Sequence, residues 1–140
     1  VIAYFDTSAL VPLLIDEPAT ERSQEHWSTA DRVVTVRLAR VEARAALAQA
    51  ARGSRISPAQ LRSSTKGLDD LIAQLDLVDI DDELIHRASD LAESQALRAY
   101  DAVHLAAALR VADDELIVVA GDRALVAAAS ALGLAVATTG

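Results

Sequence analysis

Short unbroken apolar runs alternate along the chain with longer segments whose apolar residues recur every three or four positions. Ile2–Phe5 is such a run, ended by Asp6, and suits a buried strand. Thr7–Ile15 follows as a short predicted helix, with Asp6 or Thr7 at its cap and Pro12 limiting its length. Pro18 permits a new helix running to about Ala30, and Arg32–Val36 reads as a β-branched strand. Arg37–Arg52 is a long Ala/Arg/Leu helix that Gly53 ends. Ser57-Pro58-Ala59-Gln60 combines a cap residue, a proline at the first helical position and a glutamine three after the cap, so a helix opens there and reaches about Leu75. Leu77–Ile80 is a short predicted strand. Asp81-Asp82-Glu83 then favours the positive end of the next helix dipole, with that helix reaching Ser94. Ala99–Ala112 is a further helix and Glu115–Ala120 the clearest strand. Arg123–Leu132 is a helix stopped by Gly133, and Leu134–Ala137 a last strand.

Strands that are apolar throughout, separated by helices, predict a three-layer α/β/α sandwich around a central, mostly parallel sheet covered on both faces. With 140 residues and no internal repeat or linker, residues 1–140 are expected to form a single domain.

Composition narrows the chemistry. Hydrophobic residues make up 52% but aromatics only 3%, so Ala, Leu, Val and Ile must build the core. Cysteine is absent, which excludes disulfides, thiolate metal sites and cysteine nucleophiles. No apolar run reaches the roughly 18–20 residues of a membrane span and no secretory leader precedes the first strand, so the cytoplasm is the expected location, with no membrane partner. The net charge of −8 argues against a general nucleic-acid coat protein. The charge is unevenly spread: Arg32, Arg37, Arg40, Arg44, Arg52, Arg55, Arg62 and Lys66 fall in one stretch whose only acid is Glu42. That stretch is either a solvated face, a dock for an acidic partner or a local polyanion site.

Four acids stand out by position. Asp6 and Asp122 each follow an apolar strand and precede a helix, where open α/β sheets bind ligands, although capping the helix accounts for either one alone. Glu42 lies on the Arg37–Arg52 helix in a stripe with Leu38, Ala45 and Ala46, and a carboxylate there needs a partner, either an arginine such as Arg40 or Arg44 or a metal ion. Asp101 sits near a helix start in a stripe with Leu97, Leu105 and Ala108, and His104 is placed to share its cavity or pair with it. Carboxylates gathered in one place repel unless a cation compensates them. An all-oxygen set matches Mg²⁺ or Mn²⁺ rather than zinc, and such a site suits phosphodiester hydrolysis without a protein nucleophile.

Tyr4-Phe5-Asp6-Thr7-Ser8-Ala9-Leu10 resembles the opening of PIN-domain proteins of the VapC toxin type. Glu42 in its Arg/Ala-rich helix resembles the family's second acid. Leu97-Arg98-Ala99-Tyr100-Asp101-Ala102-Val103-His104-Leu105-Ala106 resembles the third-acid signature, and Gly121-Asp122-Arg123-Ala124-Leu125 the fourth. The resemblance covers the whole chain in order and spacing. It implies a PIN-like fold and a Mg²⁺- or Mn²⁺-dependent endoribonuclease, commonly a homodimer, that acts on RNA and is held inactive by a VapB-like antitoxin. It also implies that Asp6 and Asp101 are the firmest metal ligands, that Glu42 and Asp122 complete the catalytic set, and that the Ser8 hydroxyl supports it. Arg37, Arg40 and Arg44 flank Glu42 as contacts for RNA or antitoxin. One departure is Ala120, where the family often has threonine, which removes a hydrogen bond near Asp122.

Three other functions compete. A haloacid-dehalogenase-like phosphatase needs a second Asp two residues after the first, and Ser8 stands there. A phosphoryl-accepting receiver needs an acidic pair after the first strand and a late lysine, yet the sole lysine is Lys66 in a predicted helix. A catalytically inert PIN-like binding module has no need for acids at all four positions.

Overall fold

The apolar runs pair with one another in parallel, and that pairing organises the chain. The computed structural model describes Val1–Gly140 throughout. In chain order the elements are β1 (Ile2–Phe5), α1 (Thr7–Leu10), a 3-10 turn (Val11–Leu13), α2 (Thr20–Thr29), β2 (Arg32–Val36), α3 (Leu38–Arg52) and α4 (Pro58–Ile72). They continue as β3 (Asp76–Val78), α5 (Asp82–Ser94), α6 (Ala99–Arg110), β4 (Leu116–Ala120), α7 (Arg123–Ala131) and β5 (Ala135–Thr138).

The five strands form one sheet in the order β3-β2-β1-β4-β5, and every pairing is parallel. Ala3 lies between Val33 of β2 and Ile117 of β4. Side chains alternate between the faces, as a two-residue period requires. Tyr4, Val34, Val36 and Val118 meet α5, α6 and α7 on one side. Ala3, Phe5, Val33 and Val119 meet α1, α3 and α4 on the other, with Trp27 of α2 edge-on to Phe5 at 6.0 Å. The expected α/β/α sandwich is therefore the fold. Ala39 and Ala43 of α3 and Ala106 and Ala107 of α6 are fully buried, so small side chains let these helices seat closely where aromatics are scarce.

Several boundaries move for identifiable reasons. The Thr7–Ile15 helix changes to a 3-10 turn at Val11, since Pro12 cannot donate the helical hydrogen bond. The helix expected from Pro18 begins only at Thr20, whose hydroxyl accepts from the Glu17 amide and donates to the Pro12 carbonyl, holding the preceding loop as a turn. Ser57 and Gln60 form the anticipated capping box, at 3.1 and 2.7 Å. Gly53 does follow the last residue of α3, but the left-handed residue is Ser54, at φ 59°.

The strand order places a reversal between β1 and β4. From β1 the chain builds outward through β2 and β3, then returns to lay β4 against the other edge of β1. The loops beyond the carboxyl ends of β1 and β4 thus open side by side, at the switch point where such sheets bind ligands.

Candidate functional site

Asp6 leaves β1 at that switch point and its amide still bonds the Val119 carbonyl of β4 at 3.2 Å. It precedes α1 in extended conformation yet makes no side-chain cap, so helix capping does not explain it. Its carboxylate instead accepts from the Ser8 hydroxyl at 2.6 Å. The same hydroxyl accepts from the Gly121 amide at 2.7 Å, which ties the loop after β1 to the loop after β4. Ser8 therefore has a defined structural task. Asp6 is only 4% exposed, and burial pushes its carboxyl up to about 6, opposed by His104 and the Ser8 hydrogen bond and reinforced by the Asp122 charge.

Asp122 does cap its helix, accepting from the Leu125 amide at 2.9 Å. One of its oxygens is thereby engaged, while its charge still acts on both Asp6 and Asp101. Asp101 lies in the first turn of α6, and its carboxyl is raised first by burial, then by Asp122 and Glu42, against the pull of His104 and Arg98. Leu97, Leu105 and Ala108 around it are buried as the helical spacing required.

Glu42 sits at the margin of its helix's inner face. The buried stripe of α3 is Ala39, Ala43, Leu47 and Ala50, while Ala45, expected beside Glu42 in the inward stripe, is exposed. No arginine pairs with Glu42. Arg40 bonds Asp69 of α4 at 2.7 Å, Arg37 pairs with Asp79, and Arg44 is exposed without an ion pair. The partners of Glu42 are Thr7, whose hydroxyl donates to Oε1 at 2.9 Å, and His104, whose Nε2 lies 2.7 Å from the same oxygen. His104 was expected to face Asp101 or its cavity; its direct carboxylate partner is Glu42. Its other ring nitrogen lies 2.8 Å from the Tyr4 hydroxyl.

The four acids thus influence one another across α1, α3, α6 and the loop before α7. No three Asp, Glu or His side chains stand close enough, as disposed, to close on a single ion. What the structure offers a cation is two carboxyls, Asp6 and Asp101, raised chiefly by burial and further by neighbouring acids, which a positive charge would relieve. Mg²⁺ keeps several waters and needs only one or two carboxylates directly, so the donor set fits such an ion.

Tyr4, Thr7 and Thr139 are site-lining residues that sequence reasoning did not single out. Tyr4 carried a signal, because a phenol within an otherwise aliphatic buried strand needs a hydrogen-bond partner. Thr139, after β5, has a buried hydroxyl with no partner, close to Gly121 and the loop bearing Asp122. Nothing in its sequence context marks it. Gly121 is required for space: a Cβ there would lie 3.2 Å from the Thr139 hydroxyl and 3.4 Å from the Ser8 hydroxyl. Gly121→Ala is expected to displace Ser8 from Asp6 and cost about 1–3 kcal/mol, a loss measurable by urea unfolding.

Residues 3–131 match the PIN domain family model. Over 136 residues the chain is 39% identical to Ribonuclease VapC45 of Mycobacterium tuberculosis (strain CDC 1551 / Oshkosh), covering 97% of this chain and 94% of the relative. Among solved structures it resembles Mycobacterium tuberculosis VapC20, a sarcin-ricin loop cleaving toxin, with TM-score 0.68, 15% identity and coverage of 94% and 95%. It also resembles a chain of a toxin-antitoxin complex from Klebsiella pneumoniae, with TM-score 0.64, 16% identity and coverage of 99% and 98%. The five parallel strands, the acids at the switch point and these matches agree, and the chain belongs to the PIN-domain family, among its VapC-type members.

Proposed function

We propose that this protein is a metal-dependent endoribonuclease that hydrolyses RNA phosphodiester bonds and serves as the toxin of a toxin–antitoxin pair. The observation that carries the reading is the buried Asp6 carboxyl beside the β1–β4 switch point, pushed up to about 6 chiefly by burial and least by Asp122, with Asp101 raised first by burial and then by Asp122 and Glu42. Those charges are costly without a cation, and Asp6, Asp101, Glu42 and Asp122 would hold Mg²⁺ or Mn²⁺. The bound ion supplies Lewis acidity, easing loss of a water proton and offsetting charge on the phosphate oxygens.

The chain's own residues do the rest. Ser8 orients Asp6 through its 2.6 Å hydrogen bond. Arg44 is free to meet a phosphate, while Arg37 and Arg40 sit in exposed pairs that solvent screens and a polyanion can displace. The similarity to a ribonuclease at 39% identity supports RNA as substrate.

The partner is a VapB-like antitoxin. A shallow groove between α3 and α4, lined by Arg40, Val41, Arg44, Ala45, Ala48 and Leu68, suits an amphipathic segment bearing acids, and Val41 is 66% exposed there. The protein acts as a single domain and a homodimer, with Ile85 of α5 and Tyr100 of α6, exposed by 46% and 61%, available for self-association. No helix is long and apolar enough to cross a membrane. The proposed location is the cytoplasm.

Purified protein incubated with total RNA is expected to cut it in Mg²⁺ or Mn²⁺ and to stop in excess EDTA, with cutting restored by fresh ion. Cleavage that persists undiminished in EDTA would refute metal dependence. Intact RNA under every condition would leave a binding module.

A further inference from the structure

Tyr4, His104, Thr7 and Glu42 form a polar chain across β1, α6, α1 and α3, three of whose members the proposed hydrolysis does not itself require. His104 is 1% exposed among Leu105, Ala106, Ala107 and Ala108 of its own helix, and Tyr4 is fully buried. A buried imidazole must satisfy both ring nitrogens. Here Nδ1 lies 2.8 Å from the Tyr4 hydroxyl and Nε2 lies 2.7 Å from Glu42 Oε1.

The partners determine the tautomer. A carboxylate only accepts, so in the neutral imidazole Nε2 carries the proton and donates it to Glu42. Nδ1 is then the acceptor and the Tyr4 hydroxyl is its donor. A phenol carries its proton at neutral pH, so the Tyr4 hydroxyl, 2.8 Å from Nδ1, can fill that role. Thr7 donates to the same Glu42 oxygen at 2.9 Å. Both donors therefore occupy Oε1, and Oε2 is the oxygen left for a cation.

We propose that Tyr4 and His104 form a buried brace that presets the Glu42 carboxylate, which makes His104 a positioning residue for the second acid of the site. The inference rests on the divalent-ion reading above and goes further by assigning Glu42 its orientation before any ion arrives. Glutamate has three rotatable side-chain bonds, and fixing them in advance removes an ordering cost from ion binding. The brace has a second consequence. His104 lies one helical turn after Asp101, so joining it to Glu42 also sets α6 against α3 and spaces the two acids.

The test measures Mn²⁺ binding by electron paramagnetic resonance, without RNA, on wild-type protein and the variants His104→Asn, His104→Gln, Tyr4→Phe and Asp6→Asn. A glutamine amide reaches the place of Nε2 and can still donate to Glu42, whereas an asparagine amide reaches only the place of Nδ1. His104→Asn is expected to weaken Mn²⁺ binding by about 10–100-fold, the usual effect of losing the group that orients a ligand. His104→Gln is expected to recover most of that loss, with Tyr4→Phe between them. Wild-type affinity in folded His104→Asn and Tyr4→Phe overturns the brace, as does equal loss in the Asn and Gln variants, which would mark a packing role. If wild type binds no Mn²⁺, or Asp6→Asn binds it equally well, the divalent-ion reading itself fails and the proposal falls with it. Nitrogen-15 shifts of His104 in ion-free wild-type protein supply a readout independent of the metal and of variant folding. The Nε2–H tautomer is expected, and an Nδ1–H tautomer would overturn the brace.

Discussion

Asp6→Asn and Asp101→Asn are each expected to lower RNA cleavage by about 10²–10⁴-fold, equivalent to about 3–5 kcal/mol of transition-state stabilisation. The carboxamide keeps the size of the side chain and at Asp6 can still accept from Ser8, so geometry survives while charge is lost. The deficit should therefore fall on ion binding and the chemical step rather than on folding. Single-turnover cleavage in saturating Mg²⁺ or Mn²⁺ checks it, with circular dichroism confirming the fold. Asp122→Asn is expected to lose less, because one Asp122 oxygen is engaged with the Leu125 amide and is not the principal donor. Near-wild-type cleavage by Asp6→Asn would contradict the proposed site.

The same substitution should stabilise the ion-free protein. The Asp6 carboxyl rises from 3.8 to about 6 on folding, chiefly through burial. The native state therefore holds this proton more tightly than the unfolded chain. Its contribution to stability is fully present below the unfolded value of 3.8 and is lost as pH rises through about 6. Above that range the ionised, desolvated carboxylate costs the fold about 3 kcal/mol, as an order of magnitude. Asp101 is raised as well and acts in the same direction. In EDTA at neutral pH, Asp6→Asn is expected to be more stable than wild type in urea unfolding, the difference closing on acidification below the raised value. Adding Mg²⁺ or Mn²⁺ should raise the wild-type Tm at neutral pH, much less in acid, and little at any pH in Asp6→Asn. An ion-free Asp6→Asn protein that is less stable than wild type at neutral pH would refute this balance. The inverted relation between stability and activity expresses a site whose charges are held for function.

The fold was legible because its signals are local and repeated. Ile2–Phe5 and Arg32–Val36 are strands at the positions their apolar runs indicated, and the Ser57 capping box opens α4 where its spacing placed it. One departure came where a side chain bonds a backbone carbonyl outside its own helix. Thr20 bonding the Pro12 carbonyl delays α2, and no sequence rule pairs those residues. The positions of the acids were equally legible, since a carboxylate at the end of an apolar strand or within an Ala-rich helix stands out. Their partners were not. Arg40 lies two residues from Glu42 in the chain, yet the helix turns it toward Asp69, while His104 arrives from a helix 62 positions away. Thr139 reaches the loop beside Asp122 only because β5 pairs with β4. Contacts of that kind depend on strand order, which periodicity alone does not encode.

Crystals of the full chain grown with Mn²⁺, measured near the manganese absorption edge, would locate the ion directly. An anomalous peak is expected within coordination distance of both Asp6 and Asp101, completed by waters, with Glu42 and Asp122 bound directly or through those waters. A peak elsewhere on the molecule, or none at an ion concentration that supports cleavage, would contradict a shared cation at the switch point.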